Sequence, residues 1–210
     1  MVCGAGWRPR GGCEVAHCVC PWWIGWFLVS PLRRLWQEPR EILSPYVRPG
    51  MTVVEPGPGM GFFTLELAQL VGPEGRVVAV DVQPRMLEAL RRRAARAGLA
   101  QRIDTRLAGG SSLGIDDLAG AVDFVFAFAV VHELPDTAAF FQQVAGVLKP
   151  GGRILISEPR LHVEEGDFDA TVRVAGEAGL QSEARPTIRG GRSALLVRAA
   201  AGSSARSSAG

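Results

Sequence analysis

The chain has 210 residues, of which 47% are hydrophobic and 21% are charged, enough to bury a sizeable core. Its 23 basic and 21 acidic residues leave a net charge of only +2, which gives no overall field for binding nucleic acid. All 4 cysteines and all 5 tryptophans lie within the first 36 residues, so no disulfide framework can run through the rest of the chain.

The N-terminal part divides into two segments of different character. Residues 1–16 lack hydrophobic periodicity and are expected to form a disordered leader, as the Ser/Ala/Gly tail over 201–210 is expected to be disordered. Residues 17–47 are Trp-rich, and their apolar run over 18–32 is shorter than the roughly 20 residues that cross a bilayer. Because no small-residue cleavage site follows, we expect a helical lid, no transmembrane segment and a cytoplasmic location with reduced cysteines. An interfacial anchor with weak membrane contact and an exported protein are the alternatives.

Short apolar runs alternate with helical patterns from residue 51 onward. We predict strands at 52–55, 76–82, 103–108, 122–131, 153–157, 180–188 and 193–198. We predict helices over 63–71, 84–97, 137–148 and 168–178. This alternation predicts a parallel sheet covered by helices on both faces, with ligands beyond the carboxyl ends of its strands. Gly190-Gly191, between the last two runs, predicts a closing antiparallel hairpin.

A glycine-rich loop, EPGPGMG over 55–61, follows the first predicted strand. Its glycines let the backbone approach a ligand closely. Asp81 ends the next strand, 20 residues after Gly61, where a carboxylate can accept hydrogen bonds from both hydroxyls of a ribose. A dinucleotide fingerprint needs a third glycine at the position of Phe62, which disfavours an NAD-dependent oxidoreductase. Glu55 would repel a pyrophosphate but suits an ammonium, so the pattern favours a ligand with both a ribose and an amino-acid end, S-adenosylmethionine (SAM).

Four segments in chain order resemble the motifs of class I SAM-dependent methyltransferases: EPGPGMG, VVAVDV, VDFVFAFAVVHEL and LKPGGRILISEP. The resemblance runs from about Ile42 to Arg198 and is strongest to small type-11-like enzymes of bacteria and archaea, some of which share the segments at 20–23 and 30–34. It implies an α/β fold: a Rossmann-like, doubly wound, seven-stranded sheet, mostly parallel with an antiparallel C-terminal hairpin, plus the N-terminal helical lid. Residues 48–200 would form the SAM-binding domain.

The resemblance also implies a set of cofactor-binding residues: Glu55, Gly57, Gly59, Gly61, Asp81, Val82, Met86, Gly110 and Phe128. The glycines would lie against the methionine part of SAM, Glu55 would face its ammonium, and Asp81 would hold the ribose. Val82 and Met86 would contact the adenine. Members of the family often carry Asp-Ala where this chain has Gly109-Gly110, so a backbone contact from Gly110 or a hydroxyl contact from Ser111 would replace the carboxylate. Phe128 would contact SAM through its backbone only.

Methyl transfer from a sulfonium is an in-line displacement that needs alignment and a dry site, and it needs a base only when the nucleophile carries a proton. His132 is the candidate base, because it follows the central predicted strand at the pocket rim; a structural histidine in that loop is the alternative. The candidate acceptor-pocket residues are Trp22, Trp23, Trp26, Tyr46, Glu158 and His162. The chain lacks an Asn/Asp-Pro-Pro-Tyr/Phe motif after this strand, which argues against enzymes that methylate amino groups of nucleic acids or glutamine.

The cysteines suggest a second type of site. Cys13, His17, Cys18 and Cys20 would all have to join to complete a tetrahedral metal site, so no metal site is predicted. Their thiolates could instead bind a soft acceptor such as arsenite. We therefore predict a SAM-dependent methyltransferase with a small-molecule acceptor and no specific nucleic-acid partner. A non-catalytic SAM-binding scaffold is the alternative from another class, and the oligomeric state is left open.

Overall fold

A computed structural model of the chain describes residues 38–109 and 112–200. The predicted leader and tail lie outside the described residues, as does most of the predicted lid. Of the lid segment, the structure describes 38–47, which contains a short helix, α1 (Pro39–Leu43). Leu43 is fully buried, and Arg40 forms an ion pair with Glu66 at 3.0 Å. This end of the segment is therefore packed onto the domain that follows it.

Strands and helices alternate along the rest of the described chain. The strands are β1 (Thr52–Pro56), β2 (Arg76–Asp81), β3 (Ile103–Leu107), β4 (Val122–Phe128), β5 (Leu148–Pro159), β6 (Leu180–Ala184) and β7 (Gly191–Arg198). The longer helices are α2 (Thr64–Leu70), α3 (Pro84–Arg96), α4 (Thr137–Val147) and α5 (Glu165–Glu177). Pro84 occupies the first turn of α3, where an N–H would have no partner within the helix. Asp136 caps α4 by accepting the N–H of Ala139 at 2.8 Å.

The seven strands form one sheet in the order β3-β2-β1-β4-β5-β7-β6. Neighbouring strands from β3 to β5 are parallel, whereas β7 runs antiparallel to both β5 and β6. The predicted fold, a mostly parallel seven-stranded sheet with an antiparallel C-terminal hairpin, is confirmed. The strand order reverses at β1 and β4, which lie side by side, and open sheets of this kind bind ligands beyond the strand ends at that point.

Both faces of the sheet are buried, which explains the uninterrupted apolar runs of the inner strands. On one face, Val54 and Val78 belong to a core cluster that α4 and α5 cover with Phe141 and Phe168. On the other face, Val53, Phe124 and Leu155 pack with residues of α1 and α2. Among the described residues, no helix is both long enough and apolar enough to cross a membrane.

The predicted strand over 122–131 is too long by three residues. β4 ends at Phe128, because Ala129 has a φ of +54°, which no strand residue adopts. The chain then enters a single helical turn, Val131–Glu133, that contains the candidate base His132. The turn redirects the backbone across the carboxyl edge of the sheet.

The predicted strand over 153–157 is too short, because β5 already begins at Leu148. Pro150-Gly151-Gly152, a combination that ordinarily ends a helix or strand, lies within this strand, where the pairing of Val122 with Leu148 is followed by a bulge. β5 also continues to Pro159, so Glu158 lies in the strand and not in the loop after it. At the other end of the sheet, β6 stops at Ala184, short of the predicted residue 188.

Candidate active site at the carboxyl edge of the sheet

The glycine loop connects β1 to α2 and lies over the carboxyl edge of the sheet. Gly57, Gly59 and Gly61 have φ values of +66°, +54° and +85°. A Cβ at Gly57 would come within 2.8 Å of Val130 Cγ2, and one at Gly61 within 2.4 Å of Leu90 Cδ1. A Cβ at Gly59 would meet nothing within 4 Å among the described residues. Gly57 and Gly61 are therefore required for packing, whereas Gly59 faces open space that a ligand could fill.

Glu55, at the end of β1, is a buried acid with an unsatisfied oxygen. The residue is 3% exposed, and its Oε2 atom has no hydrogen-bond partner among the described residues. The hydroxyl of Thr64 lies close enough to act on the Glu55 carboxyl, but it too makes no hydrogen bond of ordinary geometry among the described residues. Burial, together with the nearby carboxylate of Asp81, raises the pKa of Glu55 to about 8, and the Thr64 hydroxyl offsets part of this effect. A cation placed at Oε2 would favour the ionised form.

Asp81, at the end of β2, is the second acid at this edge. Its Oδ1 atom accepts the N–H of Gln83 at 2.9 Å. Burial raises the pKa of Asp81 to about 6, although hydrogen bonds from the backbone N–H groups of Gln83, Gly59 and Val82 oppose the rise. The next residue, Val82, is 52% exposed, so an apolar surface lies beside the carboxylate.

The other predicted adenine contact, Met86, is not open to a ligand. Its side chain is buried in a small cluster with Met60 and Ala89, where neighbouring side chains already occupy the space around it. Phe128 lies at the end of β4 and is partly buried, with its ring tilted against Phe63 at a centroid distance of 4.7 Å. Its ring lies on the same face of the sheet as the side chain of Glu55.

Tyr46 does not reach this group of residues. Its ring stacks on that of Phe124, with centroids 5.8 Å apart and planes within 8° of parallel. Phe124 precedes Phe128 by four strand positions, which corresponds to about 13 Å along β4. The expectation that Tyr46 lines the acceptor pocket is not supported by this position. The predicted pocket residues Trp22, Trp23 and Trp26, and the predicted cofactor contact Gly110, lie outside the described residues.

His132 is paired with Glu158 across the carboxyl edge. Its Nδ1 atom forms a hydrogen bond with Glu158 Oε2, and the pair counts as an ion pair when the imidazole is protonated. The Oε1 atom of Glu158 accepts the backbone N–H of Val131 at 2.9 Å and that of Val130 at 3.3 Å. Glu158 is only 2% exposed. This carboxylate therefore fixes both the imidazole and the turn that carries it.

Two further titratable groups surround this pair. The imidazole of His162, in the loop after β5, has its ring centroid 5.9 Å from that of His132. Glu133 is half-buried, and this burial raises the pKa of its carboxyl. The hydrogen bond that His132 donates to Glu158 raises the pKa of His132 above its usual value, while partial burial acts in the opposite direction. The structure thus brings His132, Glu158 and His162 together, as expected from the sequence positions after β4 and β5.

Sequence reasoning missed Thr64 and Val130. Val130 packs on Gly57 and donates its N–H to Glu158, so it links the glycine loop to the histidine turn. Nothing in the apolar run over 122–131 distinguishes it from its neighbours. A signal for Thr64 was present, since a threonine three residues after Gly61 falls in the first turn of the helix beside the loop. Within the described residues, no group of three or more His, Cys, Asp or Glu side chains could hold a metal ion.

Comparison with known proteins identifies the family. A family model described as a methyltransferase domain matches residues 48–186. An arsenite methyltransferase of Halobacterium salinarum is 36% identical over 110 residues, which cover 52% of this chain and 27% of that protein. A nocamycin O-methyltransferase of Saccharothrix syringae is 34% identical over 112 residues, covering 53% of this chain and 39% of that protein. The chain thus spans well under two thirds of the length of both curated relatives.

A solved structure shows the same fold over nearly its whole length. The crystal structure of a SAM-dependent methyltransferase from Aquifex aeolicus matches with a TM-score of 0.75 and 22% identity, covering 85% of this chain and 98% of that chain. At this identity the likeness concerns the fold, while the family model covers more than half of the chain's sequence. The chain belongs to the methyltransferase-domain family, and its fold is that of a SAM-dependent methyltransferase structure.

Proposed function

We propose that the protein transfers the methyl group of SAM to a small-molecule acceptor at the carboxyl edge of the sheet. The observation that carries this proposal is the buried Oε2 atom of Glu55, which makes no hydrogen bond of ordinary geometry to any described residue. An unsatisfied buried polar group costs about 1–3 kcal/mol, so its presence calls for a partner. The ammonium of the methionine part of SAM is a partner of the right charge, and its approach would ionise Glu55.

The neighbouring residues fit the remaining parts of the same molecule. The Asp81 carboxylate is positioned to accept hydrogen bonds from ribose hydroxyls, and the exposed side chain of Val82 offers the adenine an apolar contact. Gly59 follows Glu55 by four residues in the glycine loop, and its backbone N–H donates to the carboxylate of Asp81. No described residue fills the space that a Cβ at Gly59 would occupy. Met86 is left out of this proposal because its side chain is already packed.

The bound SAM supplies an electrophilic methyl group on a sulfonium. The residues of the chain then hold the two reactants in line and exclude water from the displacement. The glycine loop and Asp81 would hold one side of the site, while the turn carrying His132 would hold the other. Val130, which touches Gly57 and lies two residues after the end of β4, couples these two sides.

A small acceptor is favoured over a nucleic acid by the near-neutral charge of the chain. Its 23 basic and 21 acidic residues leave a net charge of +2, which gives no overall field for binding a phosphate backbone. Two of the curated relatives are named for small acceptors, arsenite and nocamycin, whereas two others are named for protein acceptors, ribosomal protein L11 and protein L-isoaspartate. Trp22, Trp23 and Trp26 remain the predicted walls of the acceptor pocket, and a cytoplasmic location remains a prediction.

The acceptor class can be tested with SAM labelled on its transferable methyl group. The purified protein is incubated with a bacterial extract that has been divided by ultrafiltration into a small-molecule and a macromolecular fraction. We expect label to enter the small-molecule fraction only. The matched control is Gly59→Arg, whose side chain would fill the open space over the loop and block the site. Label in the macromolecular fraction, or equal labelling by the two proteins, would contradict the proposal.

A further inference from the structure

Glu158 has an arrangement that SAM binding alone does not explain. The carboxyl end of β5 carries this nearly fully buried glutamate, and each of its two oxygens is engaged on the turn after β4. One oxygen accepts two backbone N–H groups and the other bonds to His132 Nδ1. None of these contacts involves the glycine loop or Asp81. Glu158 therefore holds the turn that carries His132 and makes none of these hydrogen bonds to the predicted cofactor-binding residues.

This contact selects one protonation pattern of the imidazole. A neutral imidazole carries its proton on one ring nitrogen only, and a carboxylate can accept a hydrogen bond but cannot donate one. Glu158 therefore holds the proton on Nδ1, which leaves Nε2 with a free lone pair. The His132 side chain is 23% exposed, so a ligand can reach the ring.

We propose that Glu158 is a positioning residue that holds His132 as a general base, with Nε2 as the proton-accepting atom, for an acceptor that reacts through a hydroxyl group. The inference rests on the proposed methyltransferase function and names the acceptor chemistry of the same site. A base is useful only when the nucleophile carries a proton that must leave during the reaction. Arsenite-type and thiolate acceptors react through a lone pair that is already free, so they would not require this pair.

The proposed reaction is a displacement at the methyl carbon of SAM. The hydroxyl oxygen forms a bond to the methyl carbon while the carbon–sulfur bond breaks, and the electron pair of that bond remains on sulfur. His132 Nε2 takes the hydroxyl proton, and Glu158 stabilises the resulting imidazolium. The products are a methyl ether, a neutral thioether and a protonated histidine, which loses its proton to solvent through its exposed edge.

The charged groups around His132 come from three elements. Glu158 approaches from β5, Glu133 from the same turn, and His162 from the loop after β5. Glu158 has the largest effect and raises the pKa of His132, and Glu133 acts in the same direction. Loss of the Glu158 charge is therefore expected to lower the titration midpoint of His132.

Nitrogen NMR tests the positioning role without any acceptor or cofactor. The chain has only 3 histidines, so the ¹⁵N ring signals can be assigned with the variants His17→Asn and His162→Asn. We expect His132 to titrate above its ordinary value of about 6.5 and to carry its proton on Nδ1 when neutral. Glu158→Gln, which removes the charge and leaves one accepting oxygen in place of two, should lower the titration midpoint of His132. Glu158→Ala should lower the midpoint and also leave the proton of the neutral His132 ring free to occupy either nitrogen. The exposed Glu164→Gln is the matched control for the loss of one negative charge.

A proton on Nε2 in the neutral wild-type ring, or an unchanged midpoint in Glu158→Gln, would overturn the positioning role. If Glu158→Ala does not fold, the titration midpoint of His132 in Glu158→Gln still tests the positioning role. Calorimetry of SAM binding is measured on the same proteins and should give equal affinities for wild type and Glu158→Gln. Because the NMR experiment needs no SAM, a failed tautomer prediction and a failed cofactor prediction are separate results.

The acceptor class is tested with labelled SAM and a set of small compounds: phenol, catechol, 3,4-dihydroxybenzoate, benzenethiol and arsenite. We expect transfer to hydroxyl compounds, with kcat rising with pH through the titration of His132. Glu158→Gln should lower kcat at least tenfold, leave the KM for the acceptor nearly unchanged and shift the pH midpoint downward. Transfer to arsenite or the thiol alone, or to no hydroxyl compound in the set, would overturn the assigned acceptor class.

Discussion

Glu55 and Asp81 lie on the same face of adjacent parallel strands, and the carboxylate of Asp81 contributes to the raised pKa of Glu55. Glu55 pairs in register with Ala79, two positions before Asp81. Two acids held this close in a buried edge repel each other when both are ionised. A ligand that brings a cation to one and hydroxyl groups to the other relieves this cost, and the following predictions depend on that relationship.

The two acids should recognise different parts of the ligand. Glu55→Gln should weaken SAM at least tenfold because its ammonium loses a charged partner, but it should leave 5′-methylthioadenosine, which has no amino-acid group, nearly unaffected. Asp81→Asn should weaken both ligands, because hydrogen bonds to a charged group contribute about 1.5–3 kcal/mol each. Isothermal titration of both variants with both ligands measures the four affinities. Equal losses for the two ligands in Glu55→Gln would show that Glu55 does not face the ammonium.

SAM binding should release a proton near pH 7. Glu55 is mostly protonated there in the free protein, since its pKa is about 8, and it must ionise to pair with an ammonium. Affinity should therefore rise from pH 6 toward 8 and fall above this, where the amino group of the ligand, with a pKa of about 8, loses its own proton. Calorimetry at pH 7 in phosphate and in Tris should give different apparent enthalpies for SAM. Identical enthalpies in the two buffers would mean that no proton is released.

Glu55 should also lower the stability of the free protein at alkaline pH. The carboxyl ionises near 4.5 when unfolded and near 8 when folded, so between these values the folded state holds the extra proton. The free energy of unfolding should therefore fall as pH rises through this window, on the order of 1.4 kcal/mol per unit. Glu55→Gln removes this term and should have a higher Tm than wild type at pH 8 but not at pH 4. The exposed Glu74→Gln serves as the control, and parallel Tm curves for wild type and Glu55→Gln would rule the effect out.

Two glycines of the loop should respond differently to the same substitution. Gly61→Ala places a Cβ against the buried Leu90 side chain at a φ of +85°, so it should destabilise the fold by more than about 1 kcal/mol. Gly59→Ala meets only open space and should cost less stability while weakening SAM. Urea unfolding and SAM titration of both variants separate the two effects. If Gly59→Ala bound SAM as well as wild type, the space above Gly59 would not be the ligand site.

The alternation of apolar runs predicted the sheet because each inner strand is buried on both faces and its pattern depends on local sequence. The ends of strands were harder to place. Nothing in the letters Ala-Val-Val indicates that Ala129 adopts a positive φ, and Pro150-Gly151-Gly152 is normally a terminator yet continues β5 through pairing with β4. Both features are set by tertiary contacts rather than by local preference.

The same distinction applies to the site. The glycine loop and Asp81 were found because their spacing along the chain reflects the geometry of one strand–turn–helix unit. The pairing of His132 with Glu158 spans 26 residues and depends on how β4 and β5 align. Glu158 was therefore treated as a pocket residue, and its burial and its two-sided hydrogen bonding appeared only in three dimensions. The stacking of Tyr46 on Phe124 likewise depends on where α1 packs, which the local sequence does not indicate.

The most direct test of the account is a calorimetric titration of the folded protein with SAM and S-adenosylhomocysteine, with Asp81→Ala as the comparison. We expect both ligands to bind the wild-type protein, and we expect the Asp81→Ala variant to bind each of them at least tenfold more weakly while retaining its fold by circular dichroism. A folded wild-type protein that binds neither ligand at millimolar concentration would contradict the central claim.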